Sequence, residues 1–264
     1  MPDLLSEVVQ LARKTGQAIK PWFSDVSPEI KSDGSWLTKA DTLAHDLLFE
    51  KLPEICDVPV LSEELSSIEQ QNIIDTAQDG YWCVDPLDGT SNFTQGIPYY
   101  CVSIALIDSG EVKLGVVYDP NRDECFHACD DSESCIDGVP IKVTELNCIA
   151  DATALIEMKR IPNQVATELV LKSPYRSQRS FGASALDLCW VAAGRCQLYL
   201  HGEQRLWDYV AAAKILQNAG GKSETFDRKA LFQNDLQSKT VIAASTEASM
   251  TQWREYFDSV YQVD

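Results

Sequence analysis

The first part of the chain carries apolar residues at the spacing of amphipathic helices. Apolar positions recur every three or four residues over 3–20, which predicts a helix that ends or bends at Pro21. A second helix is predicted over 38–52, with Thr38 as its N-cap and Asp41 at the third helical position. Both helices should present one apolar face to a core.

The centre of the chain alternates short apolar runs with turn residues, a pattern typical of an antiparallel sheet. Residues 101–107 and 112–118 flank the turn sequence Asp-Ser-Gly-Glu at 108–111, which predicts a β-hairpin. Residues 124–128 are expected to extend this sheet. A short strand is also predicted at 59–62.

Strands and helices alternate through the rest of the chain, which indicates a layered α/β arrangement. The predicted elements are strand 152–156, helix 163–172, strand 177–181, helix 183–193, strand 196–200, helix 206–219, strand 240–244 and helix 247–261. Turn composition occurs at 31–34, and a polar segment at 130–138 predicts a surface loop. This loop is the expected seam between an α+β half, 1–140, and an α/β half, 141–264. Without a long linker, the halves should form a single catalytic unit.

The charge balance limits the possible partners. The chain has 40 acidic and 22 basic residues and a net charge of −18, which argues against nucleic-acid and anionic-membrane binding. An anionic substrate would then be attracted only by cations bound locally. The longest apolar runs reach about half the ~20 residues needed to cross a bilayer. A basic signal region is absent at the N-terminus, so we expect a cytoplasmic protein.

The cysteines support the same expectation. There are nine, an odd number, without a C-x-x-C pair, and most lie in apolar runs. Such cysteines are expected to be buried, reduced thiols.

The strongest chemical signal is the segment Asp85-Pro86-Leu87-Asp88-Gly89-Thr90. An apolar run at 81–84 precedes it, so a strand should deliver two carboxylates to its end just before a turn. Two crowded carboxylates favour a bound cation, because both ionise at little cost only when positive charge lies between them. Carboxylate oxygens suit a hard divalent ion, and free N–H groups in the following turn suit a phosphate.

Three further acids join this signal, although each has an ordinary structural explanation. Glu63 ends a short strand, Asp208 opens a helix, and Asp41 fits a capping box. The two-residue spacing of an aspartyl-phosphate nucleophile loop is not met, since Asp85 and Asp88 are three apart. The spacing therefore favours water activated by metal.

Five segments together resemble the inositol monophosphatase superfamily. They are Leu61 to Glu64, Trp82 to Phe93, Gly115 to Pro120, Gly182 to Leu188 and Leu206 to Ala212. The resemblance covers nearly the whole chain. It implies a layered α-β-α-β-α sandwich, with an antiparallel-rich N-terminal sheet and a smaller mixed C-terminal sheet. It also implies Mg²⁺-dependent, lithium-sensitive phosphomonoester hydrolysis and a possible homodimer.

The resemblance also assigns roles to individual residues. Glu63, Asp85 and the Leu87 carbonyl would hold one Mg²⁺, and Asp85, Asp88 and Asp208 a second, with a third, weaker ion near Glu63. Asp41 and Thr90, with Glu63, would orient and activate water. The substrate would be bound by residues gathered from both halves: Asp88, Gly89, Thr90, Gly182, Ala183, Ser184, His201 and Glu203.

The substrate itself stays open between alternatives. Thr90-Ser91-Asn92-Phe93 is similar to the form found in inositol monophosphatases, which favours inositol monophosphate or a related polyol phosphate. Those enzymes usually carry a glutamate where this chain has His201, and the stretch leading into it is similar to bisphosphate nucleotidases. Adenosine 3′,5′-bisphosphate and other sugar phosphates are therefore alternatives. An alternative of a different functional class is a non-catalytic scaffold that binds metal or phosphate.

Overall fold

The computed structural model describes residues 2–25, 27–30, 36–77, 79–130 and 132–261. The turn predicted at 31–34 lies outside these ranges. The helices are α1 Pro2–Ile19, α2 Lys39–Ile55, α3 Ser67–Thr76, α4 Thr90–Gln95, α5 Asn163–Leu171, α6 Ser184–Ala192, α7 Leu206–Asn218 and α8 Glu247–Val260. The strands are β1 Glu29–Ile30, β2 Trp36–Leu37, β3 Val60–Ser62, β4 Tyr81–Asp88, β5 Cys101–Asp108, β6 Glu111–Asp119, β7 Glu124–Cys129, β8 Cys135–Ile136, β9 Val139–Pro140, β10 Thr153–Glu157, β11 Ser177–Arg179, β12 Leu198–Gln204, β13 Lys222–Thr225 and β14 Lys239–Ala244.

Two sheets hold the strands, apart from the small β1–β2 pair. The larger has seven strands in the order β3-β4-β5-β6-β7-β8-β9, antiparallel except for the β3–β4 pair. The smaller has five, in the order β11-β10-β12-β14-β13, and mixes parallel with antiparallel pairs. The predicted antiparallel-rich and mixed sheets are both confirmed.

Helices form three layers around these sheets, because alternate residues of each strand face opposite sides. Trp82 and Val84 pack in one core with apolar residues of α1 and α2, whereas Cys83 packs in another with α6 and α7. In the second sheet, Tyr199 joins the core of α6 and α7, and Leu200 joins that of α5 and α8. The architecture is the predicted α-β-α-β-α sandwich.

A close approach between β6 and α7 fixes the middle layer to the larger sheet. A Cβ atom on Gly115 would lie 2.2 Å from the carbonyl oxygen of Ala211, so only glycine allows the helix to pack this near. Elements of the second half of the chain thus rest directly on the sheet of the first half.

Most predicted elements are confirmed to within a few residues, and the differences are local. Within 130–138, predicted as a loop, residues 135–136 pair with β7, and 139–140 then pair with them at the edge of the sheet. Strand β12 continues to Gln204, beyond the predicted end at 200, because it keeps pairing with β14 through a bulge. Helix α3, strand β13 and the small β1–β2 pair were not predicted from the sequence.

All nine cysteines are free thiols, and Cys83, Cys101, Cys125, Cys129, Cys189 and Cys196 are buried. In the described ranges we find no helix with both the length and the apolar character that crossing a membrane requires.

Candidate active site

A bulge in β4 brings two aspartates to one face of the sheet. Asp85 pairs with Ser103 and Asp88 pairs with Cys101. Between these pairs β4 has two residues, Pro86 and Leu87, whereas β5 has one. In a regular strand, residues three apart face opposite sides. The extra residue of the bulge places both carboxylates on the same side of the sheet. A bulge also tolerates the proline, which cannot donate a ladder hydrogen bond.

A capping box at the start of α2 presents Asp41 to the same region. Its Oδ2 accepts hydrogen bonds from the Thr38 main-chain nitrogen at 2.7 Å and hydroxyl at 2.6 Å. Its Oδ1 lies 3.0 Å from the Thr90 hydroxyl, which also lies 3.0 Å from the Leu87 carbonyl oxygen. Asp41 therefore lies behind Thr90, and both carboxylate oxygens have partners.

Two helix starts from the second half complete the arrangement. Asp88 Oδ2 accepts a hydrogen bond of 2.7 Å from the Ala185 nitrogen in the first turn of α6. Asp208, in the first turn of α7, accepts one of 2.8 Å from the Arg205 nitrogen through Oδ2. Such bonds satisfy helix N–H groups that have no intrahelical acceptor. They also hold both carboxylates in place.

These elements enclose a pocket of about 620 Å³. Most of the predicted site residues line it: Glu63, Asp85, Leu87, Asp88, Gly89, Thr90, Gly182, Ser184, His201 and Asp208. Three others do not. Asp41 lies behind Thr90, the buried Ala183 faces Gly89, and the exposed Glu203 lies in the β12 bulge with a φ of 55°.

Burial and mutual repulsion raise the pKa of the acids in this pocket. Burial is the main cause for Asp85, whose pKa lies well above its ordinary range, and the charges of Glu63, Asp88 and Asp208 add to it. Burial likewise raises the pKa of Asp88 to about 6 and that of Asp208 well above its usual value. Burial also raises the pKa of Asp41. The site therefore disfavours the negative charge that ionisation of these acids would place in it.

The acids share the pocket without forming a closed ligand set. Within the described ranges, no three His, Cys, Asp or Glu side chains approach closely enough to hold a metal ion. The donor types nevertheless suit a hard cation, since carboxylate oxygens and the Leu87 carbonyl face one pocket. Asp85 and Asp208 each use one oxygen for a main-chain N–H, and in the part of the chain described here their second oxygens accept no hydrogen bond.

The pocket also includes residues to which the sequence reading assigned no role. Asn92 donates to the carbonyl oxygens of Tyr99 at 2.8 Å and Phe181 at 2.7 Å, tying α4 to the loop before α6. Lys159 and Arg160 line the pocket from the segment after β10. The only sequence signal that could have placed Lys159 and Arg160 in the pocket is their position just after a strand that ends in Glu157, and this signal is weak.

The comparisons with known proteins agree on one family. Residues 2–261 match the profile of the inositol monophosphatase family. The chain is 31% identical over 230 residues to the Nus factor SuhB of Pasteurella multocida and 32% identical over 230 residues to inositol monophosphatase 1 of Solanum lycopersicum. Each alignment covers 84% of this chain and 84% of the relative.

Solved structures have the same architecture. The Thermotoga maritima IMPase superposes with a TM-score of 0.85 at 25% identity, covering 98% of both chains. The SuhB protein of Bartonella henselae gives 0.83 at 27% identity, covering 94% of this chain and 95% of its own. Staphylococcal IMPase-II, at 21% identity, was solved with inositol monophosphate (TM-score 0.78) and with 2′-AMP (TM-score 0.79), and these matches cover 98% of this chain and 96% and 97% of the staphylococcal chains.

Proposed function

Because the chain belongs to the inositol monophosphatase family and is thus a phosphomonoesterase, we propose that it hydrolyses inositol monophosphate or a related polyol phosphate with the help of Mg²⁺. The observation that carries the proposal is the convergence of Glu63, Asp85, Asp88 and Asp208 on one pocket beside Thr90. Membership of a family of phosphomonoesterases argues against a non-catalytic scaffold.

The residues proposed to hold Mg²⁺ are Glu63, Asp85, the Leu87 carbonyl, Asp88 and Asp208, for two to three ions. A bound ion would supply Lewis-acid activation of water and charge stabilisation of the leaving group. Positive charge there would also favour the ionised form of each aspartate, opposing the effect of burial. The cluster of acidic residues is thus best explained as a binding site for cations.

Thr90 and Asp41 are proposed to accept the proton of the attacking water. The Thr90 hydroxyl has one proton and two acceptors at 3.0 Å, Asp41 Oδ1 and the Leu87 carbonyl. A cation at the Leu87 carbonyl would weaken that oxygen as an acceptor, so the hydroxyl proton would bond to Asp41 and the hydroxyl oxygen would accept from water. The raised pKa of Asp41, caused mainly by burial, makes it a stronger base.

The substrate would lie across both halves of the chain. The Gly89–Thr90 turn is proposed to bind a phosphoryl oxygen. Gly182, Ser184 and His201, which also line the pocket, are proposed to contact the rest of the substrate. The hydrogen bond from Ala185 to Asp88 joins 1–140 to 141–264 at this point. We accordingly propose that the two segments act as one catalytic unit.

A bisphosphate nucleotidase is the second candidate, and the identity of His201 favours it. An imidazole lines the pocket where inositol enzymes usually carry a glutamate. Unlike a glutamate, His201 carries no negative charge that would repel a second phosphate, and burial lowers its pKa so that the ring is neutral at pH 7. The binding of 2′-AMP to staphylococcal IMPase-II is consistent with a nucleotide in a pocket of this fold.

Phosphate release separates the candidates. The purified protein is assayed with inositol 1-phosphate, adenosine 3′,5′-bisphosphate and glycerol 2-phosphate, with and without Mg²⁺. Higher kcat/KM for the polyol phosphates supports the first candidate, and higher kcat/KM for the nucleotide supports the second. Equal turnover after removal of all divalent ions would refute the proposed role of Mg²⁺.

A further inference from the structure

Two basic residues face a pocket whose other charged walls are acidic. Lys159 and Arg160 line it together with Glu63, Asp85, Asp88, Glu157 and Asp208. In the ranges that the structure describes, neither basic side chain forms an ion pair. By contrast, Arg195 and Arg254 each bind a glutamate through two nitrogens. In a chain with net charge −18, these two exposed cations place positive charge at an acidic pocket, where an anionic group of a ligand can reach it.

The backbone that carries these residues is fixed against the neighbouring strand. Glu157 at the end of β10 pairs with His201 of β12, and the main-chain nitrogen of Lys159 donates to Glu157 Oε1 at 2.9 Å. A Cβ atom on Gly202 would lie 1.9 Å from the carbonyl oxygen of Arg160, so only glycine allows this contact. The side chains of Lys159 and Arg160 are exposed, but the main chain that carries them is held in place by these contacts.

Arg160 and Lys159 are close enough to the pocket wall to influence His201, which also lines the pocket. Burial is the main cause of the lowered pKa of His201, and the charges of Arg160 and Lys159 lower it further. Both cations therefore act at the side of the pocket formed by β12.

The two kinds of charge suit two different anionic groups. The phosphate to be hydrolysed would be held through cations at the carboxylates, so it does not need Lys159 or Arg160. Guanidinium and ammonium groups form strong charge-assisted hydrogen bonds to oxyanions. We propose that Lys159 and Arg160 bind a second oxyanion of the substrate, so that substrates carrying a further phosphate or carboxylate are preferred over simple monophosphates.

This inference rests on the proposed phosphatase activity, and matched substrate pairs test it. Inositol 1,4-bisphosphate is compared with inositol 1-phosphate, and 3-phosphoglycerate with glycerol 3-phosphate, through kcat/KM with Mg²⁺. The wild type should favour the doubly anionic member of at least one pair by about tenfold, the gain expected from charge-assisted hydrogen bonds. Preference in the first pair alone assigns the second group as phosphate, and preference in the second pair shows that a carboxylate is accepted.

The double variant K159Q/R160Q should lower that preference by about tenfold. K142Q/K172Q is the matched control, because it removes the same charge from exposed positions outside the pocket. An unchanged preference in K159Q/R160Q, or an equal loss in the control, would overturn the assignment.

A binding measurement keeps this test separate from turnover. Titration calorimetry with inositol 1,4-bisphosphate should show affinity about tenfold weaker in K159Q/R160Q than in the wild type. Equal affinities would contradict the inference even if hydrolysis occurs. Tighter binding by the wild type without hydrolysis of any substrate would instead contradict the proposed function and leave the oxyanion site supported.

Discussion

The Thr90 hydroxyl lies 3.0 Å from Asp41 Oδ1, although the two residues come from different helices and are 49 positions apart. The Asp41 carboxylate is fixed from behind by the Thr38 nitrogen and hydroxyl. A group used for helix capping therefore also positions a candidate proton acceptor. Its orientation is determined before any substrate binds.

Substitution of Thr90 by valine should lower kcat strongly with little effect on folding. Valine has nearly the same shape but lacks the hydroxyl that bridges to Asp41, and loss of a positioned proton acceptor costs about 10²–10⁴ in rate. Thr90→Ser retains the hydroxyl and is the matched control, with most of the activity expected to remain. Steady-state kinetics and circular dichroism give the comparison. Equal kcat in T90V and T90S would exclude Thr90 from proton transfer.

Replacement of Asp85 by asparagine should abolish both turnover and stabilisation by Mg²⁺. The amide keeps the acceptor for the Leu87 nitrogen at 3.0 Å but removes the negative charge that a cation requires. We expect kcat below about a tenth of wild type at saturating Mg²⁺, since a lost metal ligand removes Lewis-acid activation. Thermal shift with Mg²⁺ against a chelator measures binding apart from catalysis. A wild-type shift in Asp85→Asn would contradict the assignment.

The pH dependence of stability should change when Asp187 is replaced by asparagine. Burial raises the pKa of Asp187 well above its ordinary value, although Tyr99 donates a hydrogen bond to it at 2.7 Å. The folded state then retains a proton that the unfolded state loses, so the unfolding free energy decreases as pH rises through the raised pKa. Asp187→Asn should remove this part of the decrease.

Urea unfolding between pH 4 and pH 8 measures the effect on Asp187→Asn. The variant should gain stability relative to wild type as pH rises, by about 1.4 kcal/mol for each unit by which folding raises the pKa of Asp187. Asp258→Asn, at an exposed ion pair with Arg228, is a control that should not follow this trend. Parallel pH curves for wild type and Asp187→Asn would show that Asp187 is not buried as an acid.

Alanine at Gly115 should destabilise the protein much more than alanine at Gly110. The new methyl group at 115 would lie 2.2 Å from the Ala211 carbonyl oxygen, which must move together with α7. At Gly110, nothing lies within 4 Å, and the cost comes only from a φ of +74°, about 1 kcal/mol. Overpacking adds about 1–3 kcal/mol or more. Chemical denaturation compares the two, and similar losses would disprove the close approach.

The sequence identified the parts of the site that depend on local chemistry. Thr38 and Asp41 form the predicted capping box, and Asp85 and Asp88 lie at the end of the predicted strand. Both patterns arise from contacts between residues only a few positions apart. The common side of the two aspartates depends instead on a bulge against β5, which is a property of pairing between strands.

Other features were missed for reasons that differ from one to the next. Helix α3 buries only Gln70, and the side chain of Ile68 is 83% exposed, so its apolar residues show no helical period. The capping box of Ser66 and Glu69 was the signal that could have identified it. The position of Lys159 and Arg160 depends on contact with Gly202 across two strands, which no local pattern reveals.

The hydrogen bond between Ala185 and Asp88 has a consequence for biosynthesis. The carboxylate on β4 is held by a main-chain group 97 positions later, and the last candidate ligand is Asp208. A nascent chain that has emerged only as far as α6 therefore lacks one of the proposed metal ligands. Premature termination anywhere before α7 would yield a product with an incomplete candidate site, however well its first sheet has folded.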